Sequence, residues 1–197
     1  MNKLAGIDYG SKMAGTTVLA LWDFTEKKLH LHSSEKKKDA DKFLLDQVNQ
    51  YQPDLLVLDA PLSLPGRLIH GTPYESYFYR KCDQHFKAMS PMFLGGLTAR
   101  AIQLKDQILA QQTTRIVEGY PSAVADLLEI RTLGYKKEKS NIPVVLQQLV
   151  PHFPFPLPGD LPNWHHLDAL LCLLTAIRIK DQKAQKIGDP SEGMIYV

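Results

Sequence analysis

The stretch KLAGIDYG, residues 3–10, decides how the chain is read. Leu4 to Ile7 have the composition of a buried strand, and Asp8 closes the run with Gly10 just beyond. A carboxylate at the end of a buried strand needs a partner or a task, because an unpaired buried charge is costly. The question is whether other acids join Asp8.

Further along, GTTVLALW (15–22) is rich in β-branched and apolar residues and predicts a second strand. KLHLHS (28–33) alternates and predicts a short third. The gaps are too short for crossover helices, so the three should form a meander. In KKKDADKFLLDQVNQYQP the period changes. Leu44, Val48 and Tyr51 fall at i, i+4, i+7, which predicts an amphipathic helix capped by Asp39 or Asp41 and ended by Pro53. DLLVLDAP is then an apolar strand stopping at Asp59, and a run apolar on both faces predicts a central parallel strand.

Residues 60–95 are dense in Pro, Gly, aromatics and positive charge. A loop of that length inside a compact chain points to a function, and it reads as an insertion with a short helix around 75–87. A helix follows over about 98–111, with Ala101, Leu104 and Ile108 on one face. TTRIVEGYP predicts a strand ending at Glu118, and Pro121 opens a short helix. Another helix covers about 141–150. NWHHLDALLCLLTAIRIK is apolar on nearly all sides and predicts a buried helix. Three meandering strands followed by strands alternating with helices predict an α/β domain over residues 1–197. The expected architecture is an RNase H-like mixed sheet flanked by helices, with the insertion after the fourth strand.

The chain has 197 residues, 44% hydrophobic and 22% charged, enough for a full core without staples. Cys82 and Cys172 show no C-x-x-C spacing, and Cys172 lies in an apolar run, so a reducing, cytoplasmic location is expected. No apolar window is long enough for a membrane span, and the N-terminal apolar stretch is too short for a signal peptide. The net charge of +2 neither requires nor excludes nucleic acid. There is no P-loop and no G-x-S-x-G elbow. DYGS has the look of the phosphate-binding turn of actin-like ATPases, but only one D-x-G is present. His30 and His32 share a strand face without further ligands, which predicts exposed strand histidines.

Asp8, Asp59 and Glu118 each end a strand-like run, and ligands of open α/β sheets gather at the carboxyl ends of parallel strands. Asp168, in the first turn of the last helix, can point to the same place. Two like charges about 4 Å apart repel by roughly 4 kcal/mol at an effective dielectric of 20. Such a cluster must take up protons or bind a cation. Hard oxygen ligands without thiolates suit Mg²⁺ or Mn²⁺. Gly10 would leave room for backbone or phosphate. Each acid also has an ordinary reading: Asp8 and Asp59 as turn formers, Asp168 as a helix N-terminal acid, and Glu118 as the partner of Arg80, Arg100 or Arg115.

GIDYGSKMAG resembles the first strand of RNase H-like nucleases, including the Holliday-junction resolvase-like group. A wider set of segments is similar to the predicted-nuclease family called domain of unknown function 429: LDAPLSLP (58–65), YRKCDQHF (79–86), LTARAIQL (97–104), VEGYPSAV (117–124), HLDALLCLLTA (166–176) and GDPSEGMIYV (188–197). The resemblance implies metal-dependent cleavage of nucleic acid, with Asp8, Asp59, Glu118 and Asp168 as catalytic and metal-holding acids. Resolvases of this fold often carry a second acid three residues before the helix aspartate. Here that position is His165, a candidate ligand for Mn²⁺ or a proton carrier. The resemblance also allows a homodimer.

In the insertion, Arg67, Arg80, Lys81 and Lys87, with Arg100 beyond it, are candidates for phosphate contact, and Tyr74, Tyr77, Phe78 and Tyr79 for base stacking. Arg80 and Asp83 have the spacing of a helix ion pair instead. The runs EKKKDADK and YKKEK read as solvated faces. Two further function classes stay open at this point: a binding module on a degenerate nuclease scaffold, and a phosphohydrolase acting on small nucleotides.

Overall fold

The computed structural model describes all residues from Met1 to Val197. Its centre is a seven-stranded sheet in which the strands beginning at Lys28, Val18, Lys3, Leu55, Arg115, Gly193 and Lys186 lie side by side in that order. Strands β1 (Lys3–Asp8), β2 (Val18–Asp23) and β3 (Lys28–Ser33) form the expected antiparallel meander. Strand β4 (Leu55–Asp59) pairs parallel with β1, and β5 (Arg115–Gly119) pairs parallel with β4. Order and directions are those of the RNase H-like mixed sheet.

Two strands escaped sequence reading. Lys186–Asp189 (β6) and Gly193–Tyr196 (β7) form a C-terminal hairpin, and β7 pairs parallel with β5. Four-residue strands broken by Gly188 and Gly193, both at positive φ, carry too little alternation to be recognised.

Each sheet face has its own core. One face, with Leu4, Val18, Val57 and Val117, packs on α8 (Trp164–Lys180), whose residues from His166 to Ile177 are all buried. The other, with Ile7, Leu19, Leu56 and Leu58, packs on α1 (Ala40–Tyr51) and α5 (Gly96–Leu109). Alternation along the strands therefore sends Asp8 and Asp59 to the α8 side. Helix α1 is capped by Asp39, whose carboxylate accepts from the N–H groups of Asp41 and Lys42.

The α8 side is tightly fitted at Gly6. A Cβ there would lie 2.1 Å from the Leu173 nitrogen, so any side chain would push α8, and the acid it carries, off the sheet. Gly10 has a local reason rather than the expected clearance for a ligand. A Cβ would meet the Thr16 hydroxyl at 2.1 Å, and the Gly10 N–H donates to Thr17 Oγ1.

Residues 60–95 hold three short helices, α2 (Gly66–His70), α3 (Lys81–Phe86) and α4 (Pro91–Leu94), in place of a single one around 75–87. Beyond β5 come α6 (Pro121–Leu127), a 3₁₀ turn at Ile130–Leu133 and α7 (Ile142–Leu149). No helix is long and apolar enough to cross a membrane. Cys82 and Cys172 are both free and buried. His30 and His32 are half-buried against Tyr51 rather than exposed, with His32 Nε2 2.9 Å from the Tyr51 hydroxyl.

Candidate metal centre

Asp8 and Asp59 are direct neighbours across the parallel β1–β4 ladder. Both project toward α8, where Asp168 lies one turn into the helix. One carboxylate oxygen from each of the three lies within 4.8 Å of the others. This triad is built from elements far apart in sequence, and its compactness follows from the in-register strands and the close seat of α8 over Gly6.

The three acids are held differently. Asp168 is buried, accepts from the Tyr135 hydroxyl on Oδ1 and pairs with Lys136 Nζ at 2.7 Å on Oδ2. Burial pushes its carboxyl up to about 6, with Lys136 opposing and Asp8 adding to the rise. Asp8 has His165 Nδ1 at 2.8 Å from Oδ2. That contact raises the imidazole above its ordinary value against the opposing effect of burial. Asp59 has no hydrogen-bonding group of the protein beside its carboxylate. Burial, then the charges of Asp8 and Asp168, push it well above the usual range. A carboxylate without a protein partner beside two others is one whose charge a cation would relieve.

Glu118 does not join this group. It pairs with Leu58, one residue short of Asp59, so its side chain leaves the opposite face of the sheet. There it receives both ends of the Arg80 guanidinium at 2.7 Å. Arg80 also binds Asp83 through Nε and Nη2, at 3.0 and 2.7 Å. Burial alone would lower Arg80, but the hydrogen bonds to Glu118 and Asp83 outweigh it and hold the guanidinium above its ordinary value. With its side chain 0% exposed, Arg80 cannot touch a phosphate in this arrangement, which corrects the expectation of phosphate contact. The alternative pairing of Glu118 with Arg80 is the one realised.

The remaining candidate cations are partly committed. Lys81 Nζ lies 2.7 Å from Asp189, and Arg100 forks onto Asp41 at 2.6 and 2.9 Å while covering the Tyr9 ring. Arg67 faces the Tyr77 ring and donates to the Tyr74 carbonyl, with no acid partner. His165 contacts Asp8 and is not among the oxygens that converge.

Lys136 was the residue sequence reading missed, since YKKEK looked like a solvated face. Left-handed backbone at Gly134 (φ 84°) and Lys136 (φ 57°) bends the chain so that Tyr135 and Lys136 both reach Asp168. The only sequence signal was a Gly-Tyr-Lys turn with the tyrosine in an otherwise charged run. Lys136 occupies, with its ammonium, part of the charge demand that a divalent ion would meet. Lys136→Met should therefore tighten Mn²⁺ binding at pH 8 by roughly tenfold, equivalent to about 1.4 kcal/mol. Calorimetric titration checks this, and an unchanged or weaker affinity would show that Lys136 does not compete with the ion.

No family model matches the chain, and no curated protein sequence does. Among solved structures it is similar to RuvC of Thermus thermophilus. One structure, described as in complex with a Holliday junction substrate, aligns at TM-score 0.45 and 14% identity. A second aligns at TM-score 0.46 and 15% identity. Each covers 94% of this chain and 98% of its own.

Proposed function

We propose that the protein is a metal-dependent hydrolase of phosphodiester bonds in nucleic acid. The observation that carries this reading is the convergence of Asp8, Asp59 and Asp168, with Asp59 lacking any hydrogen-bond partner in the protein. The oxygen-only donor set fits Mg²⁺ or Mn²⁺, and these three acids would hold it. A bound divalent ion supplies charge neutralisation at the phosphate and activation of water. His165, half-exposed beside Asp8, is placed to take up or pass on a proton. Lys136, 49% exposed at the mouth of the site, adds positive charge where a phosphate would approach. Glu118 is a structural acid in this reading, holding Arg80 rather than metal.

The test is cleavage of plasmid, single-stranded DNA and RNA by the purified protein with Mn²⁺, with chelator, and with Mn²⁺ restored. Activity should appear only with the metal. Metal affinity should climb as pH rises through about 6, because Asp168 must release its proton to solvent before its carboxylate can hold the ion. Cleavage that persists in chelator would refute the proposal.

One observation favours a second reading, a binding module on a degenerate nuclease scaffold. Both Asp168 oxygens already have partners, and His165 stands where a fourth acid would be. A binder of that kind would hold nucleic acid equally well in chelator and show no heat of Mn²⁺ binding.

A further inference from the structure

Beside the acidic triad lies a cavity of about 250 Å³ that the metal-holding residues do not fill. Asp59 forms part of its wall, so the cavity adjoins the triad directly. Ala60, Pro61 and Gly119, at the ends of β4 and β5, line one part with small side chains. Met89, Leu94 and Leu97, around α4 and the start of α5, line another. Asp83 and Glu118, both committed to Arg80, line the cavity with Asp59, and a mostly apolar wall with a few acidic groups suits a flat, uncharged ring with N–H donors better than an anion.

A second observation is independent of the cavity. Phe78 and Phe93 stack at 5.7 Å between centroids and 25° between planes, yet are 52% and 64% exposed. Tyr79 meets Phe93 edge-on at 6.0 Å. The Ser90 hydroxyl donates to the Phe78 carbonyl and also caps α4, which carries Phe93 next to the cavity-lining Leu94. Ridge and cavity are thus parts of one piece. Exposed apolar surface of this kind marks an interaction site.

The charge nearby narrows the occupant. Binding of continuous duplex depends mainly on cations that neutralise phosphates. Arg80 is buried, Lys81 and Arg100 are paired with Asp189 and Asp41, and of these four candidates Arg67 alone has no acid partner. Single strands add to any cationic contacts the stacking of their bases on aromatic faces, which a continuous duplex does not offer.

We propose that this region is a base-binding subsite for an unpaired strand. One nucleobase enters the cavity beside Asp59, and a neighbouring base stacks on the Phe78–Phe93 ridge. The inference deepens the nuclease reading and rests on it for the position of the scissile phosphate.

The test is binding rather than cleavage. Fluorescence anisotropy in chelator compares a short labelled oligodeoxythymidylate with a duplex of the same length and with thymidine monophosphate. The single strand should bind at least about tenfold more tightly than either, and Phe93→Ala or Phe78→Ala should weaken it roughly tenfold by loss of base stacking. Met89→Glu, at a side chain 62% exposed, should weaken it as well without disturbing the fold. Equal binding of the duplex, equal binding of the monophosphate, or unchanged affinity in the variants would overturn the subsite. So would sedimentation showing that the wild type is a dimer which Phe93→Ala dissociates, because the ridge would then serve self-association. Mn²⁺-dependent plasmid cleavage that survives in the variants, with no preference for single strands, would remove the subsite and leave the acidic triad standing.

Discussion

Replacing Asp59 by asparagine is expected to abolish Mn²⁺-dependent cleavage and, at pH 8, to raise the melting temperature of the metal-free protein. The two effects have one cause. Asp59 lies beside Asp8 in register and within reach of Asp168, with no hydrogen bond from the protein and only the charge of Lys136 opposing its neighbours. Asparagine keeps the shape and removes the repulsion. Loss of even an outer-sphere contact typically lowers metal affinity by about 10–100-fold, so loss of a ligand should exceed about 100-fold.

The sign of the stability effect follows from the direction of the shifts. Burial and the neighbouring charges raise Asp59 and Asp168 in the folded state above their unfolded values, Asp168 to about 6. Between the unfolded and folded values the native state binds more protons, so stability falls as pH rises through that window. Above it, the metal-free protein carries the full repulsion. For a chain of this size each kcal/mol relieved by Asp59→Asn should raise the melting temperature by about 2–4 °C. At pH 4 the gain should shrink, since the wild-type carboxyl is already protonated there. Thermal melts in chelator at the two pH values, with and without Mn²⁺, read all of this. A variant that melts lower than wild type at pH 8 and still gains stability from Mn²⁺ would show that Asp59 is an ordinary strand-end residue.

Arg80→Met is the second large effect, and it should act on folding rather than on the metal. The substitution leaves Glu118 and Asp83, 6% and 1% exposed, without the guanidinium that bridges them. Breaking a buried ion pair from one side typically costs about 3–5 kcal/mol, a large share of the whole stability of a domain. The bridge ties β5 to the first turn of α3, so the segment around α3 should loosen first. Gly193, where a Cβ would lie 3.1 Å from Arg80 Nη1, places the β6–β7 hairpin against the same guanidinium. Glu118→Gln is the informative companion. It keeps the Asp83 contacts and should cost less, about 1.5–3 kcal/mol for a hydrogen bond to a charged group. It should leave Mn²⁺ affinity unchanged. Denaturant melts and metal titration of the two variants separate the roles. A Glu118→Gln protein that folds as wild type but no longer binds Mn²⁺ would return Glu118 to the metal centre.

The sequence by itself determined the mixed sheet and two of the three converging acids' positions at strand ends. Apolar runs closed by Asp8 and Asp59 are local signals, because strand composition and the acid that ends it are contiguous. The buried helix carrying Asp168 was equally legible from its unbroken apolar character. The hairpin of β6 and β7 was not, since its strands are short and owe their existence to the free edge of β5. Glu118 shows the sharper limit. In sequence it matches Asp59, an acid closing a parallel strand. Only the register, which pairs it with Leu58, turns it to the other face and into the grip of Arg80. Lys136 likewise reaches Asp168 only because two left-handed residues bend the chain there. Side-chain period along a strand is two, so a single step of register decides which face an acid serves, and no local pattern records that step.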